Sequence, residues 1–455
     1  MICKHFGKCG GCSLQDIPYK KQLLCKTKLA RKQIKSFWKK PVKIIPSPDI
    51  YYYRNKVELS FGGLYPPRRG GGVKKKNLSG HREEGKVLLG FKEKGKWYKV
   101  INIRECLIFD PLIRQITKTI KDWAEKNSLK PYNSKKHVGF LRYLVIRKTR
   151  SEMIIMLVTT SERKLPKHSL VKTIARISPM RNLKRSRETP HLNPTLRVPT
   201  ASTGISINME ACPPQGGRKF KNIYQPPNPQ PQISVLHGIQ DMHADVAYPQ
   251  KVKVLLGQDH MTEDMLGMGF RYNMESFFQT NPKAFGTLAK DLLARAKKIS
   301  PKRVLDLYCG AGIFTLLIKK ELQCKTIGIE SHMPSLKDAA FNRNNLIEEE
   351  ARAKNPVSFC AAKVERLATK ILSSRKTRNS LVILDPPRGG IHPKVRKAIA
   401  QYPPKYLFYV SCNPKLFLRD DMPAFIERYN IEDIRIYDFF PHTEHFEMLV
   451  CLKRK

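Results

Sequence analysis

The stretch VLDLYCGAGIFTLLI, residues 304–318, decides the fold of the carboxy-terminal half of the chain. Val304 to Tyr308 have the apolar character of a buried strand. They run into a small-residue turn at Gly310, Ala311 and Gly312, and an apolar helix follows at once. Glycines at such a turn let the backbone approach a ligand at the helix amino end, where N–H groups are unpaired. The same rhythm repeats outward: a helix over 283–298, then TIGIE at 326–330, LVILD at 381–385 and YLFYVS at 406–411. Short apolar strands alternating with helices make a parallel sheet covered on both faces, so the expected class is α/β with a Rossmann-like sheet.

The second strand ends in Glu330, where a carboxylate can accept hydrogen bonds from both hydroxyls of a ribose. Thr315 stands where a dinucleotide fingerprint needs its third glycine, which weakens a nicotinamide reading. Asp306, just before the turn, would repel a pyrophosphate and suits a cationic, amine-bearing ligand such as S-adenosylmethionine.

At the end of the strand over 406–411 stands SCNP, with Cys412 at a position where open α/β sheets bind ligands. Cys412 is the candidate nucleophile, although a buried cysteine is often mere packing. Pyrimidine C5 becomes nucleophilic only after a thiolate adds to C6, so methyl transfer to that carbon needs such a thiol. The C5 proton must then leave, and a carboxylate of raised pKa can take it. Glu447 in FFPHTEHFE is the first choice, with Glu444 second, and Asp385 opens the DPPRGG loop nearby. His442, His445 and Glu444 do not have the spacing of a zinc site. Cys309, inside the cofactor turn, is a rival nucleophile placed beside the cofactor and not beside the base.

The whole chain has 455 residues, 41% of them hydrophobic, and 85 Lys+Arg against 38 Asp+Glu, a formal net charge of +47. That is core material for several domains, and it excludes whole-chain disorder. The charge makes nucleic acid the first partner to consider and an acidic membrane surface the second. No apolar run reaches the length of a membrane span, and MICKHFGKCG lacks the apolar core of a secretory signal. A cytoplasmic monomer that does not engage membranes is the expectation. Eleven cysteines are too few and too scattered for a secreted disulfide framework.

Residues 1–100 carry 25 Lys+Arg against 6 Asp+Glu, interleaved with Phe37, Trp38, Tyr51, Tyr52 and Tyr53, a composition that suits phosphates and unstacked bases. A basic helix is expected over 18–37, antiparallel strands from 53 to 100, a helix over 111–127, and strands over 138–147 and 153–160. Residues 179–231 hold ten prolines with no apolar period, which reads as a disordered or loop-like insertion. Strands resume at 233–236 and 252–256. Three parts follow: 1–40, a basic cysteine-bearing segment; 41–275, a mixed α/β RNA-binding domain interrupted at 179–232; and 276–455, the cofactor domain. Cys3, Cys9 and Cys12, spaced C-x5-C-x2-C, can collect a soft metal or a cluster given a fourth ligand from Cys25 or Cys106; spacing alone leaves zinc and iron-sulfur open.

Together the segments CKHFGKCGGCSLQ, YRNKVELSFG, ECLIFDP, ESFFQTNP, LDLYCGAGIFTL, IGIE, LDPPRGGIHP, VSCNP and FPHTEHFEML resemble, in order, the RNA uracil-5-methyltransferases. The resemblance spans nearly the whole chain except the insertion. It implies a class I methyltransferase sheet, S-adenosylmethionine as methyl donor, Cys412 as nucleophile and Glu447 as proton acceptor. It further implies Gln279, Tyr308, Glu330 and Asp385 as cofactor-binding residues, and a [4Fe-4S] cluster on Cys3, Cys9, Cys12 and Cys106, with Cys25 structural. Many members carry a small RNA-binding β-barrel ahead of the cysteines. Here the first cysteine is residue 3, so the RNA grip is expected from the basic amino end and the central domain, and ribosomal RNA is favoured over transfer RNA.

Overall fold

The computed structural model describes residues 1–63, 86–177 and 232–455; the insertion expected over 179–232 lies outside them except for its last residue. The strands are β1 (Lys43–Ile45), β2 (Lys56–Gly63), β3 (Val87–Glu93), β4 (Lys96–Asn102), β5 (Leu141–Lys148), β6 (Glu152–Thr159), β7 (Gln232–Ile239) and β8 (Lys251–Leu256). They continue with β9 (His260–Met265), β10 (Met268–Asn273), β11 (Arg303–Leu307), β12 (Lys325–Glu330), β13 (Val357–Ala361), β14 (Leu381–Leu384), β15 (Tyr406–Ser411), β16 (Tyr429–Tyr437) and β17 (Glu447–Arg454). Among the described residues no helix is long and apolar enough to cross a membrane.

Two large sheets organise the molecule. One has eight strands in the order β1-β16-β17-β15-β14-β11-β12-β13; β13, β12, β11, β14 and β15 are mutually parallel, and β17 returns antiparallel. Strands β11, β14 and β15 are apolar and buried along most of their length because helices cover both faces, as the sequence pattern requires. The expected helix over 283–298 forms at Pro282–Ile299, opened by Asn281, whose side chain accepts the Ala284 N–H, and closed by Ser300 in the left-handed region. Its buried face, Phe285, Leu288, Ala289, Leu292 and Ala296, packs into the hydrophobic cluster on one side of the sheet.

The other sheet has seven strands, β4-β3-β2-β5-β6-β7-β8, antiparallel except between β6 and β7. The helix Ile113–Lys126 covers it with Ile113, Ile116, Ile120 and Trp123. The basic helix expected over 18–37 forms at Tyr19–Ile34, but its Ala30 and Ile34 pack into the cluster on the second face of the eight-stranded sheet, and β1 is that sheet's edge. The amino-terminal residues are therefore built onto the cofactor-type sheet. A fully buried ion pair, Lys26 Nζ to Asp438 Oδ1 at 2.5 Å, holds the helix to the segment between β16 and β17.

Candidate active site

The turn after β11 is arranged to receive a ligand. Asp306 is fully buried, and its Oδ2 accepts the Thr315 N–H at 3.1 Å and the Thr315 hydroxyl at 2.6 Å, which ties the strand to the first turn of helix Ile313–Leu322. Its Oδ1 is buried without a partner, and burial raises its pKa to about 7. Tyr308 lies at φ 74°, a strained conformation for a residue with a side chain and one that concentrates at functional sites. Gly310 has φ +54° and open space where a side chain would stand, whereas a Cβ on Gly312 would meet the Phe359 ring at 2.7 Å. Glu330 Oε2 accepts the Gly310 N–H at 3.1 Å, and its Oε1 accepts those of Ser331 and His332 at 2.6 and 2.8 Å. The carboxylate is thereby fixed at the mouth of the turn. An orphaned buried oxygen, an open glycine and a pinned carboxylate fit a nucleoside with a cationic substituent.

The expected nucleophile and base meet through strand register. β15 and β17 are antiparallel with Ser411 opposite Met448, so the next residues outward, Cys412 and Glu447, face each other across the sheet end. Burial first, then the charges of Glu447 and Asp385, push the Cys412 thiol up to about 12, and Arg388 opposes the shift. Glu447 is buried, and the lack of solvation together with Asp385 raises it to about 8, again against Arg388. Asp385 is raised to about 7 by its poorly solvated surroundings and by Asp306. Cys412 lines a small pocket with Pro386, Pro387, Gly390 and Asn413, and the Asn413 side-chain N–H donates to the Arg388 carbonyl at 3.2 Å. Glu444, the second choice as base, is exposed. Cys309 is buried, with burial raising its thiol far above the ordinary range.

The family described as tRNA (Uracil-5-)-methyltransferase matches residues 235–455. An uncharacterized RNA methyltransferase of Clostridium acetobutylicum is 31% identical over 100% of this chain and 84% of its own length. The chain belongs to the RNA uracil-5-methyltransferase family. A tRNA (uracil(54)-C(5))-methyltransferase of Pyrococcus horikoshii is 28% identical over 99% of this chain and 85% of its own length. The crystal structure of the Pyrococcus abyssi tRNA (uracil-54, C5)-methyltransferase, solved with S-adenosyl-L-homocysteine, shares the fold: TM-score 0.63, 23% identity, 98% of this chain and 86% of that one. The eight-stranded sheet is thus a class I methyltransferase sheet.

Several residues of this uracil-5-methyltransferase site escaped sequence reasoning. Arg388 is the cation that faces both Cys412 and Glu447. The segment around Gln279 is pinned from both sides: Asn55 donates its side-chain N–H to the Gln279 carbonyl at 3.1 Å and its backbone N–H to Thr280 at 3.0 Å. Arg147 donates to the Ser276 carbonyl at 2.9 Å, and Asp338 accepts the Ser276 hydroxyl at 2.6 Å. So held, the segment buries Phe278 against Tyr272 and leaves Phe277 65% exposed. Two adjacent phenylalanines in ESFFQ do not tell which is buried, so the sequence carries no signal for this arrangement.

Cys3, Cys9, Cys12 and Cys106 line one apolar cavity with Arg54, and exposed Cys25 stands apart. Among the described residues no three His, Cys, Asp or Glu side chains are grouped to hold a metal ion. His5 and Gly11 donate backbone N–H groups to Cys3 and Cys9 Sγ at 3.5 and 3.3 Å. Burial and mutual repulsion raise Cys12 to about 12, and burial foremost raises Cys106 to about 11. Four cysteines lining one cavity, with N–H donors at two of their sulfurs and the Arg54 guanidinium beside them, make up a donor set of soft sulfurs.

Proposed function

We propose that the protein methylates C5 of a uridine in RNA through a covalent Cys412–C6 adduct resolved by Glu447. The observation that carries this reading is the register that sets Cys412 against Glu447 beside Arg388. S-adenosylmethionine, when bound by Gln279, Tyr308, Glu330 and Asp385, supplies an electrophilic methyl carbon. The residues of the chain do the rest. Cys412, once its proton has passed to solvent, adds its sulfur as thiolate to C6, and the electron pair of the C5–C6 double bond moves toward C5 and the C4 carbonyl, so C5 can form its new bond to the methyl carbon as that carbon's bond to sulfur breaks. Glu447 takes the C5 proton, the C5–C6 double bond returns, the sulfur–C6 bond breaks and Cys412 leaves as thiolate. A carboxyl whose pKa is raised to about 8 is, in its ionised form, a stronger base than an ordinary carboxylate and is suited to that proton. The pyrimidine must leave its stack to reach the pocket, and exposed Phe277 offers it an aromatic face.

The sequence favours ribosomal RNA, but relatives matched along 99% of this chain are named for tRNA uracil-54. We therefore propose a tRNA as substrate and cytoplasm as location. We further propose that Cys3, Cys9, Cys12 and Cys106 hold a [4Fe-4S] cluster. The test is transfer of labelled methyl to unmodified tRNA and to large-subunit ribosomal RNA transcripts, followed by nucleoside analysis. The expected result is 5-methyluridine in tRNA from the wild type and none from Cys412→Ala. Normal product from Cys412→Ala refutes the mechanism, and product only in ribosomal RNA refutes the substrate.

A further inference from the structure

The β3–β4 hairpin carries a surface that the methyl transfer leaves unused. Lys94 and Gly95 form its tip, Gly95 at φ 76°, and β4 is the edge of the seven-stranded sheet. Just past the tip, Trp97 is 55% and Tyr98 52% exposed. Their rings stand edge to face with centroids 5.8 Å apart. The ammonium of Lys135, from a separate loop, lies 3.9 Å from the Tyr98 ring centroid. Lys96 and Lys99 share Glu93, so the tip retains net positive charge.

The hairpin is held rigidly. Lys94 N–H donates to the Lys8 carbonyl at 3.0 Å, and Cys9 bridges Glu93, so its base is sewn to the cysteine segment. A preorganised aromatic pair takes a partner without ordering its own backbone. The surface also connects to the active site. Lys92 is ion-paired with Asp245, and three residues along that loop the Tyr248 hydroxyl is 3.1 Å from His332 Nε2, two residues beyond Glu330.

We propose that Trp97 and Tyr98 are a stacking platform for an unpaired base of the substrate RNA outside the catalytic pocket, with the surrounding lysines on its phosphates. The proposal rests on the reading of the chain as an RNA methyltransferase. Lysine is depleted at the centre of protein–protein interfaces, and a stable one buries roughly 800 Å2 per partner. Aromatic rings among lysines are instead the common equipment of single-strand binders, because every base has a face to stack and every phosphate a charge to neutralise.

The test uses the full chain and an unmodified tRNA transcript. In Trp97→Ala/Tyr98→Ala the dissociation constant for the transcript should rise roughly five- to hundredfold, the range for loss of one stacked base. KM for RNA should rise with it, while kcat at saturating RNA, S-adenosylmethionine affinity and melting temperature stay put. Trp97→Phe/Tyr98→Phe should restore most of the affinity. Unchanged RNA affinity and KM in the alanine variant overturn the platform and leave the aromatics to a protein partner. Absence of methyl transfer by the wild type would instead sink the enzymatic reading, and the dissociation constants would still judge the platform.

Discussion

Replacing Glu447 by glutamine tests the electrostatics of the site without its chemistry. Burial and Asp385 raise this carboxyl from an ordinary 4.5 to about 8. A raised folded-state value means that the folded protein binds this proton more tightly than the unfolded chain. The resulting stability is fully present below about pH 4.5 and is lost as pH rises through about 8. At 1.36 kcal/mol per pH unit the ionisable side chain costs roughly 4 kcal/mol at pH 8, roughly 3 at pH 7 and under about 1 at pH 5. Glutamine has the same shape and no proton to lose, so the variant should melt higher than wild type. With about 2–4 °C per kcal/mol for a unit of this size, the gain is on the order of 10 °C at pH 8 and one or two degrees at pH 5. Melting curves from pH 5 to 8 read it directly. A difference that is flat with pH, or larger at pH 5, refutes the buried, proton-holding carboxyl.

Other consequences follow from the same geometry. Glu447→Gln removes a negative neighbour of Cys412 and should lower its pKa, so alkylation by iodoacetamide at pH 9 should be faster than in wild type; an unchanged rate counts against their contact. Gly312→Ala must displace the Phe359 ring from a backbone at φ 82°, so it should destabilise more than Gly310→Ala, whose Cβ meets open space and whose larger effect should be on S-adenosylmethionine affinity by calorimetry. Lys26→Met strands Asp438 and should cost roughly 3–5 kcal/mol in denaturant unfolding, and Lys26→Met/Asp438→Leu should recover most of it. Cys106→Ser should abolish iron content and brown absorption after anaerobic purification, while Cys25→Ser retains both.

The methyltransferase sheet was legible because parallel strands buried on both faces have continuous apolar sequences, as in VLDL and LVIL, and because helix Pro282–Ile299 has a capping asparagine and an apolar stripe. Strand β16, YNIEDIRIY, and the hairpin β9–β10 mix charges with apolar residues and gave no comparable signal. Buried Lys26 looked like another solvated charge of a basic helix; only Asp438, 412 residues away, makes it interior. The pairing of Cys412 with Glu447 follows from what the chemistry needs, but the charge of Arg388 on both depends on how the DPPRGG loop folds. Asp306 was read as facing the ligand, whereas one of its oxygens serves Thr315. Gln279 came from family likeness, and the hydrogen bonds of Asn55 explain why its segment is fixed.

The most direct measurement of the central claim is mass spectrometry of the enzyme incubated with S-adenosylmethionine and a transcript containing 5-fluorouridine. Fluorine at C5 cannot leave as a proton does, so the adduct should accumulate. A methylated fluorouridine nucleotide should appear on the peptide bearing Cys412, and none in Cys412→Ala. An adduct on Cys309, or an equal yield from Cys412→Ala, would contradict that claim.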